Sequence, residues 1–86
     1  MGSYSVSVGD QSIRVKTFRE VGPAVMEALT GFLARDPEGV AEGAAMANRA
    51  FSVGTVQHAL DTHRSWSTSV RVHGEVISIE VRKRWW

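Results

Sequence analysis

Ser65-Trp66-Ser67-Thr68-Ser69-Val70-Arg71-Val72-His73-Gly74-Glu75-Val76-Ile77-Ser78-Ile79-Glu80-Val81-Arg82-Lys83-Arg84-Trp85-Trp86 is the stretch on which the fold turns. Its residue types alternate. Trp66, Thr68, Val70 and Val72 fall on one face, and Ser65, Ser67, Ser69, Arg71 and His73 on the other. After His73-Gly74-Glu75 the alternation resumes, with Ile77, Ile79 and Val81 set against Ser78, Glu80, Arg82 and Arg84. Side chains on a strand point to opposite faces in turn, so a period of two describes a half-buried sheet. These residues read as a β-hairpin whose apolar face must be covered by the chain upstream.

At the other end, Tyr4, Val6 and Val8 alternate with Ser3, Ser5 and Ser7, and Ile13 and Val15 with Ser12, Arg14 and Lys16. Gly9-Asp10 lies between them, and glycine supplies the positive φ that a tight turn needs. Residues 3–8 and 11–17 are therefore expected to form a second antiparallel hairpin.

The middle of the chain changes period. Thr17-Phe18-Arg19-Glu20 has the spacing of a capping box, here ahead of a short turn at 18–21. From about Gly22 to Arg35 the apolar residues Val25, Met26, Leu29, Phe32 and Leu33 recur at helical spacing. Asp36-Pro37-Glu38 is the clearest boundary. Asp36 suits an N-cap, Pro37 the first helical position, and Glu38 the positive end of the helix dipole. The second helix should run from Pro37 to about Phe51, with Ala41, Ala44, Ala45, Ala47 and Ala50 allowing close approach to its neighbours. Ser52-Val53-Gly54-Thr55 interrupts it, because glycine costs about 1 kcal/mol relative to alanine in a helix interior. A break there, with Ser52 or Thr55 capping a third helix over Val56 to His63, is preferred to one kinked helix from 37 to 63. The fold expected is an α+β two-layer sandwich. Two β-hairpins flank two or three helices, and a four-stranded antiparallel sheet is covered on one face.

Residues 1–86 are expected to form one domain, since domains begin near this length. Hydrophobic residues make up 43% and charged residues 22%, which argues against disorder. No apolar run is long enough for a membrane span, and no secretory signal is visible at the amino terminus. The chain has no cysteine, so disulfides, thiolate nucleophiles and cysteine zinc sites are excluded. Together these place the expected location in the cytoplasm. Net charge is +1, but it is unevenly spread. Residues 1–61 carry five basic and seven acidic side chains, whereas residues 62–86 carry five basic (Arg64, Arg71, Arg82, Lys83, Arg84) and two acidic (Glu75, Glu80). The terminal hairpin is the basic end, where an anionic partner would land.

Within residues 45–60, the run Ser52-Val53-Gly54-Thr55-Val56-Gln57-His58-Ala59-Leu60 resembles the recognition-helix start of GntR-type winged-helix regulators, in which Val-Ser-x-x-Thr-Val-x-x-Ala-Leu recurs. The resemblance implies a helix entering the DNA major groove through Ser52, Thr55, Gln57 and His58. The basic 66–84 hairpin would follow as a wing, with Arg64, Arg71, Arg82 and Arg84 on phosphates. The chain departs from that pattern at Arg49, where the family has an apolar residue, and in its amino-terminal hairpin.

No catalytic signature stands out. There is no nucleophile elbow, no phosphate-cradling glycine loop, and His58 and His63 are five apart rather than at the three- or four-residue spacing of a helical metal pair. The expectation is a non-enzymatic binding or regulatory module with no cofactor and no metal. It would act by protein–protein association, as a homodimer or docked on a larger partner. The contact would be a sheet edge or the basic, tryptophan-ended hairpin: Arg71, Arg82, Lys83, Arg84, Trp85 and Trp86. DNA binding through the 52–63 helix is the alternative.

Overall fold

Two tight turns organise the sheet. In the computed structural model, which describes residues 2–85 and the side chains of residues 3–84, His73 (φ 50°) and Gly74 (φ 81°) are both left-handed. That pair is what a two-residue type I′ hairpin loop requires. It joins β3 (Ser65–Val72) to β4 (Glu75–Trp85), with Val72 opposite Glu75 and Ser65 opposite Arg82. Gly9, at φ 57°, opens the loop between β1 (Gly2–Val8) and β2 (Gln11–Val15). The two hairpins then join through their most apolar strands. β1 and β4 run antiparallel, with Val6 opposite Val81 and Val8 opposite Ile79, and the sheet order is β2-β1-β4-β3. The first and last strands of the chain are thus its central ones.

The strands end where local chemistry competes with the ladder. β2 stops at Val15 rather than at residue 17, because the Glu20 carboxylate accepts from the backbone N–H groups of Lys16 (3.1 Å) and Thr17 (3.3 Å). This is the carboxylate half of the expected capping box. It sets a single 3-10 turn, Phe18–Glu20, ahead of the first helix.

Three helices cover one face. α1 (Val21–Phe32) buries Val21, Ala24, Val25, Ala28 and Leu29, an i, i+3, i+4, i+7, i+8 stripe, against β1 and β2. It ends three residues short of Arg35. Asp36 leaves helical geometry and caps α2 (Pro37–Ala50) by accepting from the Gly39 N–H at 3.0 Å. α2 buries Gly39, Gly43 and Ala47, whereas Ala41 and Ala45 are exposed. The close approach expected of the alanines is made chiefly by glycines. A methyl added at Gly43 would sit 3.2 Å from Leu29 and 3.3 Å from Val72, so α1, α2 and β3 meet closely there, and a side chain would fit only if those neighbours gave by a few tenths of an ångström.

The chain breaks at Phe51-Ser52, both extended, and α3 runs Val53–His63. It starts three residues earlier than expected, with Gly54 in its first turn, where a glycine is less costly than in an interior. Ser52 holds the N-cap position through its carbonyl, which accepts from Val56 N–H at 2.8 Å, and its hydroxyl makes no cap bond. Val56 and Leu60 carry α3 onto the sheet. Below the helices, Val6, Val8, Val70, Val72, Ile77, Ile79 and Val81 complete the core. Each fully buried side chain of this size contributes about 1.5–3 kcal/mol. Phe32, expected on the buried stripe, is 36% exposed and lies over Gly9. At the far end Tyr4, Phe18, Phe51 and Trp66 form a run of rings, edge-to-face, stacked, then edge-to-face, with centroids 5.7–6.5 Å apart.

Candidate partner-binding surface

The uncovered face of the sheet is built by the same alternation that makes the core. Ser5, Ser7, Ser12, Ser65, Ser67, Ser69 and Ser78 share it with Arg14, Arg71, Val76, Glu80, Arg82 and Arg84, and Ser3, on the same side, is buried. Register places Arg14, Ser5, Arg82 and Ser65 in one row across the four strands. Glu80 neutralises one charge, accepting from Arg82 Nε at 2.8 Å. Lys83 lies on the other face. It is half-buried under the helices, its Nζ 3.2 Å from Asp61 Oδ1 on α3. Of the residues expected to form the basic contact, Arg71, Arg82 and Arg84 share the sheet face and Lys83 turns away. Trp85 pairs with Gly2 through its backbone, its side chain lies outside the description, and Trp86 lies outside the described residues. The one tryptophan side chain described, Trp66, faces inward and is half-buried.

The β3 edge has a definite polarity. Lys83 N–H donates to the Arg64 carbonyl at 2.8 Å. In an antiparallel ladder bonded pairs alternate, so Trp66, Thr68, Val70 and Val72 bond to β4 while Ser65, Ser67, Ser69 and Arg71 turn their N–H and C=O groups outward. The Arg71 N–H meets Met46 Sδ of α2 at 3.4 Å, which covers that end of the edge. Among the described residues nothing pairs with the outward groups of Ser65, Ser67 and Ser69. Proteins usually blunt such an edge with lysine, proline or a bulge; residues 65–69 carry none of these. The opposite edge, β2, is five residues long and holds Arg14.

At the open end of that edge β4 overhangs β3. His63, Arg64, Ser65, Arg82, Lys83 and Arg84 line a shallow groove of about 320 Å³ there. Arg64 closes α3 in a left-handed conformation, φ 60°, its N–H donating to the Leu60 carbonyl at 3.0 Å. His63 and Ser65 were not singled out from the sequence for this end. The signal was the loop: reading His73-Gly74 as the whole turn, without Glu75, places Ser65 opposite Arg82.

Ser52, Thr55, Gln57 and His58 are all exposed on α3. They belong to the helical layer, whereas Arg71, Arg82 and Arg84 face away from it. The β3–β4 hairpin is half of the four-stranded sheet. Among the described residues no group of three or more His, Asp or Glu side chains is arranged to hold a metal ion. Among the described residues no helix is long and apolar enough to cross a membrane. No family model matches the chain, and no curated protein or solved structure matches it either.

Proposed function

We propose that this chain is a non-catalytic association module that takes an extended segment of a partner protein as a fifth strand on the edge of β3. The observation that carries the reading is the open run Ser65–Ser69. Among the described residues its outward backbone groups are unpaired, and residues 65–69 have none of the usual devices against pairing. Strand addition supplies affinity through main-chain hydrogen bonds, and side chains at alternate positions supply specificity. One side of an added strand would meet the serine- and arginine-bearing face, and its end would pass over the basic groove. Acidic segments are therefore favoured. The four arginines of that face against the single Glu80 steer such a segment towards the sheet.

The test begins with a displayed library of random peptides selected on the full chain. Selected peptides should slow hydrogen exchange at the Ser65, Ser67 and Ser69 amides, and Ser67→Pro should abolish their binding. Proline at Ser67 removes an outward N–H and leaves the bonds to β4 intact, so the fold survives. Peptides that bind Ser67→Pro as well as the parent protein would refute edge docking. If the chain self-associates, and Ser67→Pro makes it monomeric, the added strand is the β3 of a second copy.

A second reading is DNA binding, favoured by the exposure of Ser52, Thr55, Gln57 and His58 at the start of α3. Because the sheet arginines occupy the opposite layer, a duplex on α3 would draw its phosphate contacts from Arg64 and its surroundings alone. Binding to a labelled duplex that weakens on Gln57→Ala, and on raising salt, but not on Arg71→Ala would support it.

A further inference from the structure

We infer that the groove at the β4 overhang is a phosphate-binding site, and that the phosphate is carried by a phosphorylated side chain of the segment docked on β3. The inference rests on the docking reading for the source of the phosphate, but not for the site itself.

Four cationic residues, Arg64, Arg82, Lys83 and Arg84, line the groove with His63 and Ser65, and among the described residues no carboxylate lines it. Two of the four are already engaged from outside, Arg82 by Glu80 and Lys83 by Asp61. Arg64 and Arg84 make no ion pair and no side-chain hydrogen bond among the described residues. Two guanidinium groups with unused donors suit an oxyanion that accepts several charge-assisted hydrogen bonds at once. A phosphate monoester carries about −1.5 to −2 at neutral pH, against −1 for a carboxylate, so it matches the two unengaged arginines better than an acidic side chain does.

The backbone of Arg64 points the same way. A helix ending in a left-handed residue ordinarily places glycine there, and a β-carbon in that conformation is strained. The chain carries this strain with the one residue type whose side chain is a phosphate fork, and at the mouth of the groove. Strain retained at such a position is the pattern of a ligand clamp. The size fits as well. A volume of about 320 Å³ lies at the lower end of the range for small ligands, roughly 300–1,000 Å³, enough for a phosphate with the side chain that bears it.

The test is an amide NMR titration of the full chain at low ionic strength with inorganic phosphate, O-phosphoserine and glutamate. O-phosphoserine should give saturable shifts centred on Arg64, Ser65 and Arg84, and bind about tenfold more tightly than glutamate, as one added charge-assisted hydrogen bond implies. Arg64→Gly and Arg84→Gln should each weaken it by about tenfold, with the rest of the spectrum confirming the fold, and Arg14→Gln and Arg71→Gln should leave it unchanged. Ser67→Pro, which blocks edge docking, should also leave it unchanged. Shifts that fail to saturate, that spread equally to Arg14 and Arg71, or that persist in Arg64→Gly would overturn the site. If inorganic phosphate binds as tightly as O-phosphoserine, and phosphorylated β3-edge peptides gain nothing over their unmodified forms, the site stands and free phosphate is its ligand.

Discussion

Gly9 and Arg64 occupy the same left-handed region, at φ 57° and 60°, with opposite consequences. At Gly9 the absence of a side chain is required twice over. A β-carbon would be strained in that conformation, and it would overlap the Phe32 ring that lies against it. Gly9→Ala is expected to cost about 2–4 kcal/mol, combining the left-handed penalty with overpacking. The cost should fall in a Phe32→Ala background, which a double-mutant cycle of thermal or urea unfolding measures; an unchanged cost would mean that backbone strain alone accounts for it. At Arg64 the side chain is tolerated at a penalty. Arg64→Gly relieves about 1–2 kcal/mol of strain and returns about 0.5–1 kcal/mol in unfolded-state entropy. The relief wins, and a net gain of about 0.5–1 kcal/mol should raise the melting temperature by several degrees. The same variant is the one expected to lose phosphate. A stabilised protein with a weakened site is a combination that a purely structural arginine would not give.

At the scale of the element, α2 shows what holds a helix with little apolar surface. Its buried residues are two glycines and an alanine, so its start must be secured locally. Asp36 does this by capping Gly39, and its other oxygen lies 2.8 Å from His73 Nε2 in the β3–β4 turn. The His73 contact is more than half exposed on the histidine side, and exposed pairs contribute little. Asp36→Ala should therefore cost about 1 kcal/mol, the usual value of an N-cap, and Asp36→Asn, which keeps the cap but not the charge, should restore most of it in thermal unfolding. Asparagine behaving like alanine would transfer the contribution to His73. The cap itself was legible in Asp36-Pro37-Glu38, because capping chemistry spans only three residues. The glycine contacts were not, since Gly39 and Gly43 acquire their meaning only from Val72 and Leu29, brought close by the fold. The open edge was half legible: alternation identifies β3, but which backbone groups face outward depends on pairing with β4, and Met46 covers Arg71 from 25 positions away.

In the whole molecule one core joins both hairpins and all three helices. Leu29, Leu60, Ile79 and Val81 are fully buried within it. Leu29→Ala should cost about 2–5 kcal/mol, against a total of roughly 4–13 kcal/mol for a chain of this length. Because no element has a core of its own, helix dichroism and tryptophan fluorescence should report one unfolding midpoint in the parent protein. Separate midpoints would show that a hairpin holds without the helices. The amphipathic strands, the capped second helix and the layered α+β class all follow from patterns within a few residues, and the sequence by itself determined them, whereas at residues 52–55 it left a kinked helix open beside the break. Local interactions act whatever the rest of the chain does. The order β2-β1-β4-β3, the union of the chain's two ends in the sheet centre, and the pairing of Lys83 with Asp61 of α3 were decided only by the tertiary structure. Those outcomes depend on which apolar faces bury most completely against one another, a comparison made across the whole chain. Strand alternation then sends Arg82 and Arg84 outward and Lys83 inward to Asp61. The groove exists because β4 outruns β3 where α3 ends, an arrangement no single stretch of the sequence contains.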